Sequence, residues 1–156
     1  MFLAAEKFLE LIEQTPLVSV DLLLRNGAGE VLLGRRKNPP AKGSWFVPGG
    51  RIRKNETIRA ALLRICQGEL NAEPAEAALL GVYDHLYPDN FLNQPGIGTH
   101  YVVLAFTCSL KPGGHIQPDS QHSDLRWWTC AELLANADVH ENTKRYFDEP
   151  STTFRF

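Results

Sequence analysis

The chain has 156 residues, 44% of them hydrophobic and 22% charged, with a formal net charge of −2. That length suits one domain with a core of its own, and residues 1–156 are read as a single domain. The near-neutral balance supplies no basic face for nucleic acid, no apolar run approaches the ~20 residues of a membrane helix, and the N-terminus lacks a signal-peptide pattern, so a cytoplasmic protein is expected. Cys66, Cys108 and Cys130 are odd in number and widely spaced, without metal-finger spacing.

In chain order, residues 3–14 (LAAEKFLELIEQ) predict an amphipathic helix with Phe8, Leu11 and Ile12 on its inner face, ended by Thr15-Pro16. VSVDLLLR then predicts a strand, the turn Asn26-Gly27-Ala28-Gly29 follows, and EVLLGRR predicts a second strand, the pair making a hairpin. Asp21 is awkward in the middle of the first, apolar strand. It is either an edge carboxylate facing water or a group placed to bind substrate. Alternation puts Arg35 and Arg36 on opposite faces of the second strand. Residues 37–44, rich in Pro and Gly, predict a loop.

Residues 45–71 (WFVPGGRIRKNETIRAALLRICQGELN) carry most of the signal. They predict a short strand, a glycine turn at Gly49-Gly50 that allows close backbone approach, and an amphipathic helix. Ile58, Ala61, Leu62, Ile65 and Cys66 form its apolar face, Asn55 or Thr57 caps its start, and Asn71 suits its end. Glu69 falls on the apolar face and in the last turn, where the helix dipole disfavours an anion. A carboxylate so placed wants a cation, and a metal ion is the simplest one. Two long strands follow, 77–89 and 99–109, carrying His85 and Tyr101; a loop joins them. PDSQHSDLRWW is a polar loop running into a strand, and TCAELLANA and VHENTKRYF predict two short helices. The pattern is α/β (α+β), a mixed sheet sandwiched between helices.

Residues 45–71 resemble the Nudix box. Gly50, Glu56, Arg64 and Glu69 match it, whereas Ile65, Gly68 and Asn71 stand where the box carries Glu, Glu and Gly. The two missing carboxylates, with LLGRRKNPPAKGSWFVPGGR and PDSQHSDLRWW, make the chain similar to the GDP-mannose mannosyl hydrolase family of the Nudix superfamily. That resemblance implies a Nudix fold, a homodimer, and Mg²⁺-dependent hydrolysis of a small nucleotide sugar. GDP-mannose is the first candidate and GDP-glucose the second, with one Mg²⁺ per subunit and Mn²⁺ as the alternative. Water would attack the anomeric carbon with inversion. Cleavage at phosphorus and non-catalytic binding of a nucleotide sugar are the rival readings.

The resemblance also implies roles. The Gly50 carbonyl, Glu69 and Gln121 would hold the metal, with His122 as general base and Arg36 on the diphosphate. Arg51, by itself either a surface base or a second phosphate contact, is placed on the diphosphate by the resemblance. Asp21, His85 and Tyr101 would complete the substrate pocket, although a lone strand histidine is more often a packed residue. Glu56 and Arg64 are expected to pair with each other in support. Of the other histidines, His115 and His140 are expected to be exposed, and His100 to face away from Tyr101. Without the resemblance, the Gln121-His122 pair is a polar turn.

Overall fold

The computed structural model describes residues 3–113, 116 and 122–148, with 122 and 123 given by their backbone alone. The elements are α1 (Ala5–Gln14), β1 (Leu17–Leu24), β2 (Val31–Arg36), β3 (Trp45–Phe46), β4 (Gly49–Arg51), α2 (Ile58–Leu70), β5 (Pro74–Tyr87), β6 (Thr99–Leu110), β7 (His122–Trp128), α3 (Cys130–Ala135) and α4 (Glu141–Asp148). They form a four-stranded mixed sheet, β4-β1-β6-β5, and a three-stranded sheet, β3-β2-β7. In the first, β1 runs parallel to β6 and antiparallel to β4, and β5 is antiparallel to β6. No helix among the described residues is long and apolar enough to cross a membrane.

The central strand β1 reads as a near-continuous apolar run because both of its faces are covered. Val20, Leu22 and Leu24 meet Leu62, Ile65, Cys66 and Leu70 of α2 in one core. Leu23 joins Val31, Leu33, Val103, Leu133 and Val139 in a second. Trp45 and Trp128 meet edge-on there, with ring centroids 5.3 Å apart.

Several expectations need correction. β1 and β2 do not form a hairpin. The Asn26 side chain organises the turn by accepting from the Ala28 and Glu30 amides, but the strands part into different sheets, linked by one bridge between Arg25 and Val31. Each strand is apolar on both faces and fills a sheet of its own. The second, three-stranded sheet was therefore not foreseen. In α1, Phe8 and Ile12 make the inner stripe, while Leu11 is 41% exposed beside it. Ile58 likewise lies outside the packed face of its helix.

α2 is closed at both ends as its sequence predicts. The Thr57 side chain accepts from the Ala60 amide at 3.2 Å, and Asn71 takes the left-handed conformation, φ 50°. Glu56 and Arg64 form the expected pair. Arg64 donates from Nε to Glu56 Oε1 at 2.6 Å and from Nη2 to Oε2 at 2.8 Å, and Nη2 also reaches the Arg51 carbonyl at 2.9 Å. Glu56 accepts in addition from the Arg53 amide. The fork clamps the loop after β4 onto the middle of α2.

Two glycines of this stretch give substitutions of opposite sign. A Cβ on Gly49 would lie 2.6 Å from the Val20 carbonyl and closer still to Asp21 Oδ1, whereas one on Gly68 meets nothing within 4 Å. Gly49→Ala should destabilise by roughly 1–3 kcal/mol and Gly68→Ala should stabilise by up to about 1 kcal/mol, as read from denaturant midpoints.

The fork also makes a signed prediction about pH. Arg64 holds the Glu56 carboxyl down to about 2 from its ordinary 4.5. The unfolded chain therefore takes up this proton first, so the pair's contribution is complete above pH 4.5 and lost as pH falls towards 2. A difference profile of Tm against pH should show Glu56→Gln costing stability at neutral pH and progressively less in acid.

Candidate active site

The antiparallel register of β1 and β4 sets Asp21 opposite Gly49 and Val20 opposite Gly50. Where these strands meet β5, β6 and the end of α2, a cavity of about 320 Å³ opens. Asp21, Arg36, Gly50, Arg51, Glu69, His85 and Tyr101 all line it. One cavity thus gathers residues spread over eighty positions. His85 and Tyr101 are direct cross-strand partners on β5 and β6. Asp21 is no edge carboxylate, since its strand has neighbours on both sides.

Strand alternation separates the two arginines of β2 as expected. Arg35 is exposed and donates to the Gly43 carbonyl, while Arg36 is half-buried in the cavity wall. The Arg36 guanidinium lies 5.7 Å from the Phe46 ring centroid. Its Nε is buried and has no hydrogen-bond partner among the described residues. A buried cationic donor left open is suited to an anion. The Arg51 guanidinium stacks 4.1 Å over the ring of Phe8, which brings α1 to the cavity.

Glu69 is 6% exposed, and its Oε2 accepts from the Gly49 amide at 3.2 Å. A Cβ on Gly50 would stand 3.7 Å from Glu69 Oε1 and 3.2 Å from Ile65 Cδ1. The bare backbone of Gly50 therefore comes against this carboxylate where a side chain would crowd it. A buried carboxylate beside a bare main-chain segment fits a hard cation, which takes carboxylate and carbonyl oxygens alike. Among the described residues no three His, Cys, Asp or Glu side chains gather as a metal site, so further ligands would have to be of other kinds. Gln121 lies outside the described residues, as does His115. His122 is described by its backbone alone, which pairs with Arg36 across β2 and β7.

The sequence reading missed a set of groups at the far end of the cavity. Tyr146 of α4 is buried, and its hydroxyl donates to Asp21 Oδ2 at 2.5 Å and lies 3.2 Å from His85 Nε2. Its ring meets Tyr83 edge-on at 4.7 Å. The buried face of α4 consists of Asn142, Thr143 and Tyr146, polar types that a hydropathy pattern assigns to solvent. His140 is not exposed as expected. It stacks on Phe46, with ring centroids 4.6 Å apart, and its Nδ1 accepts from the Asn142 amide at the start of α4. His100 faces away from the cavity beside Asp84, in line with expectation.

Burial acts on these groups in opposite directions. Removal from water pushes the Asp21 carboxyl up to about 6, against the Tyr146 hydrogen bond and the charge of Arg36. It pushes the His85 imidazole down to about 4, helped by His140 and Arg145. At neutral pH the carboxylate is ionised and the imidazole neutral. The cavity therefore has a cationic wall, at Arg36 and Arg51, and an accepting end at Asp21.

Known proteins share this fold. Residues 15–149 match the family model described as NUDIX domain. The chain is 42% identical to the "Low-salt glycan biosynthesis protein Agl8" of Haloferax volcanii over 88% of its own length and 84% of that protein's. It is 38% identical to the "ADP-ribose pyrophosphatase" of Methanocaldococcus jannaschii, over 81% and 69%. Its fold is similar to a MutT NUDIX hydrolase from Burkholderia pseudomallei, with a TM-score of 0.70, 23% identity, and 86% and 98% of the two chains covered. It is also similar to the NUDIX domain of Shewanella oneidensis NrtR in complex with ADP ribose, with a TM-score of 0.65, 20% identity, and 94% and 97% covered. The box residues at their expected spacing and the match over residues 15–149 agree: the chain belongs to the NUDIX domain family and is a hydrolase of the Nudix type.

Proposed function

We propose that the chain hydrolyses a nucleoside diphosphate sugar, GDP-mannose in the first instance, to GDP and the free sugar by attack of water at the anomeric carbon. The observation that carries this reading is the composition of α2, where Glu69 is the one buried acid, and buried Ile65 and exposed Gly68 stand at the positions of two further carboxylates of the box. A box with one buried carboxylate is poorly equipped to hold several metal ions around a phosphorus centre. Beside it stand Arg36 and Arg51, which suit a diphosphate leaving as an anion. The 42% identical relative is named for glycan biosynthesis, which is in keeping with a nucleotide-sugar substrate.

In this reading Glu69, the Gly50 carbonyl and Gln121 hold one Mg²⁺, with Mn²⁺ as an alternative, and the bound ion supplies positive charge that helps neutralise the departing diphosphate. Arg36 and Arg51 bind the diphosphate. Asp21 and His85 receive the sugar, and Tyr101 receives the sugar or the adjoining phosphate. His122 takes a proton from the attacking water, whose oxygen bonds to the anomeric carbon while the carbon–oxygen bond to GDP breaks and its electron pair leaves with GDP. The configuration inverts, because water attacks directly. A base in that role contributes roughly 10²–10⁴-fold. The protein is read as a cytoplasmic homodimer. The 38% identical ADP-ribose pyrophosphatase favours a second reading, cleavage between the phosphates.

Isotope tracing separates the two. In ¹⁸O-water with GDP-mannose and Mg²⁺, the label should enter the free sugar and not GDP. Label in a phosphate would establish cleavage at phosphorus instead.

Metal dependence should follow Glu69 and not Glu56, whose carboxylate is already committed to Arg64. Glu69→Gln should raise the Mg²⁺ concentration needed for half-maximal activity by about tenfold or more, with folding intact by circular dichroism. Glu56→Gln should leave that concentration near the wild-type value while lowering Tm. The reverse pattern would move the ligand assignment to Glu56.

A further inference from the structure

We propose that Tyr146 is a positioning residue that fixes the direction of the hydrogen bonds at the far end of the cavity, so that Asp21 and His85 both meet the substrate as acceptors matched to sugar hydroxyls. The proposal rests on the nucleotide-sugar reading above, and deepens it by assigning that end of the cavity to the sugar and a residue of α4 to its recognition.

The argument begins with the single proton of the phenol. Tyr146 Oη has two neighbours, Asp21 Oδ2 at 2.5 Å and His85 Nε2 at 3.2 Å. A carboxylate only accepts, so the short bond takes the tyrosine proton. The phenol oxygen can then only accept from its second neighbour, and His85 must carry its proton on Nε2. Burial keeps this ring neutral, its pKa pushed down to about 4. A neutral imidazole protonated at Nε2 has a lone pair on Nδ1 and no second N–H to offer. One hydroxyl thereby sets both the orientation of Asp21 and the tautomer of His85.

Gly49 completes the arrangement on the other side of Asp21. Its missing Cβ leaves room for Oδ1, the carboxylate oxygen that Tyr146 does not engage. Sugar hydroxyls can donate to such acceptors, whereas a diphosphate, rich in acceptor oxygens, is turned away from them and towards Arg36 and Arg51. The cavity thus orients its ligand by hydrogen-bond polarity. The Tyr146 hydroxyl meets the two groups that receive the sugar, and its ring is held independently by Tyr83.

The test has two arms. The first is the tautomer of His85 in the wild-type protein without ligand, read from long-range ¹H–¹⁵N correlations at neutral pH. A protonated Nε2 and an unprotonated Nδ1 are expected, and the opposite tautomer would overturn the proposal. The second arm uses Tyr146→Phe, which keeps the ring and removes the hydroxyl. Its kcat/KM on GDP-mannose should fall roughly 10- to 100-fold, as for loss of a hydrogen bond to a charged group, while the Kd for GDP by calorimetry stays within twofold of wild type. An unchanged kcat/KM, or a parallel loss of GDP affinity as expected of a merely structural residue, would overturn it. Should the wild-type protein release no free sugar from GDP-mannose, the nucleotide-sugar reading fails on that result alone. The tautomer then still decides whether Tyr146 sets the proton direction.

Discussion

The arrangement of the cavity depends on the fork between Arg64 and Glu56. It joins a loop of six residues after β4 to the middle of α2. The guanidinium takes both carboxylate oxygens and the Arg51 carbonyl at once. Through that carbonyl it also holds the end of β4. The fork thus holds the start of the chain between β4 and α2, while at the other end of the helix the Gly49 amide ties β4 to Glu69 directly. Removing one partner strands the other charge in a partly buried place, a larger loss than the bond alone. Neither residue needs to touch a ligand for the pair to stabilise the loop beside the site.

The cavity is then divided by charge. Arg36 and Arg51 arrive from different sheets and are both braced by aromatic rings, Phe46 and Phe8. Such stacking holds a long side chain in place with little further loss of conformational freedom when a ligand binds. At the other end, the Tyr146 hydroxyl donates to a carboxylate that burial drives towards protonation and that Arg36 helps keep ionised. Glu69 stands apart from both, between the Gly49 amide and the backbone of Gly50. A long, polarised ligand has one favourable direction in such a space.

How much of this was legible follows from how local each signal is. The box helix could be read residue by residue, because caps, apolar face and the misplaced Glu69 all repeat at fixed offsets within thirteen residues. Strand alternation could separate Arg36 from Arg35 and His100 from Tyr101 without knowledge of the partner strand, but it was the resemblance that singled out Arg36 and His85. The parting of β1 and β2 into two sheets was not, since a turn signal between two apolar strands is the same whether they pair or diverge. Tyr146 was hidden for a different reason. It is 125 residues from Asp21 and lies on a helix whose buried face is polar, so neither spacing nor hydropathy marks it. His140 was misread likewise, its burial coming from stacking on Phe46, a residue of a two-residue strand.

The pairing of His122 with Arg36 across β2 and β7 has a consequence for how this part of the chain can change. The two strands carry an irregularity between Gly34 and Arg36, so the partners at the cavity end are out of step with those at the Trp128 end. Deleting one residue within β7 would slide its whole leading end and turn each side chain there to the opposite face of the sheet. Length within this strand is therefore tied to the register that sets residue 122 opposite Arg36. The turn at Asn26–Glu30 has no such constraint, because the strands that it joins share only a single bridge. Insertions during divergence would be tolerated at that turn and excluded from the strand.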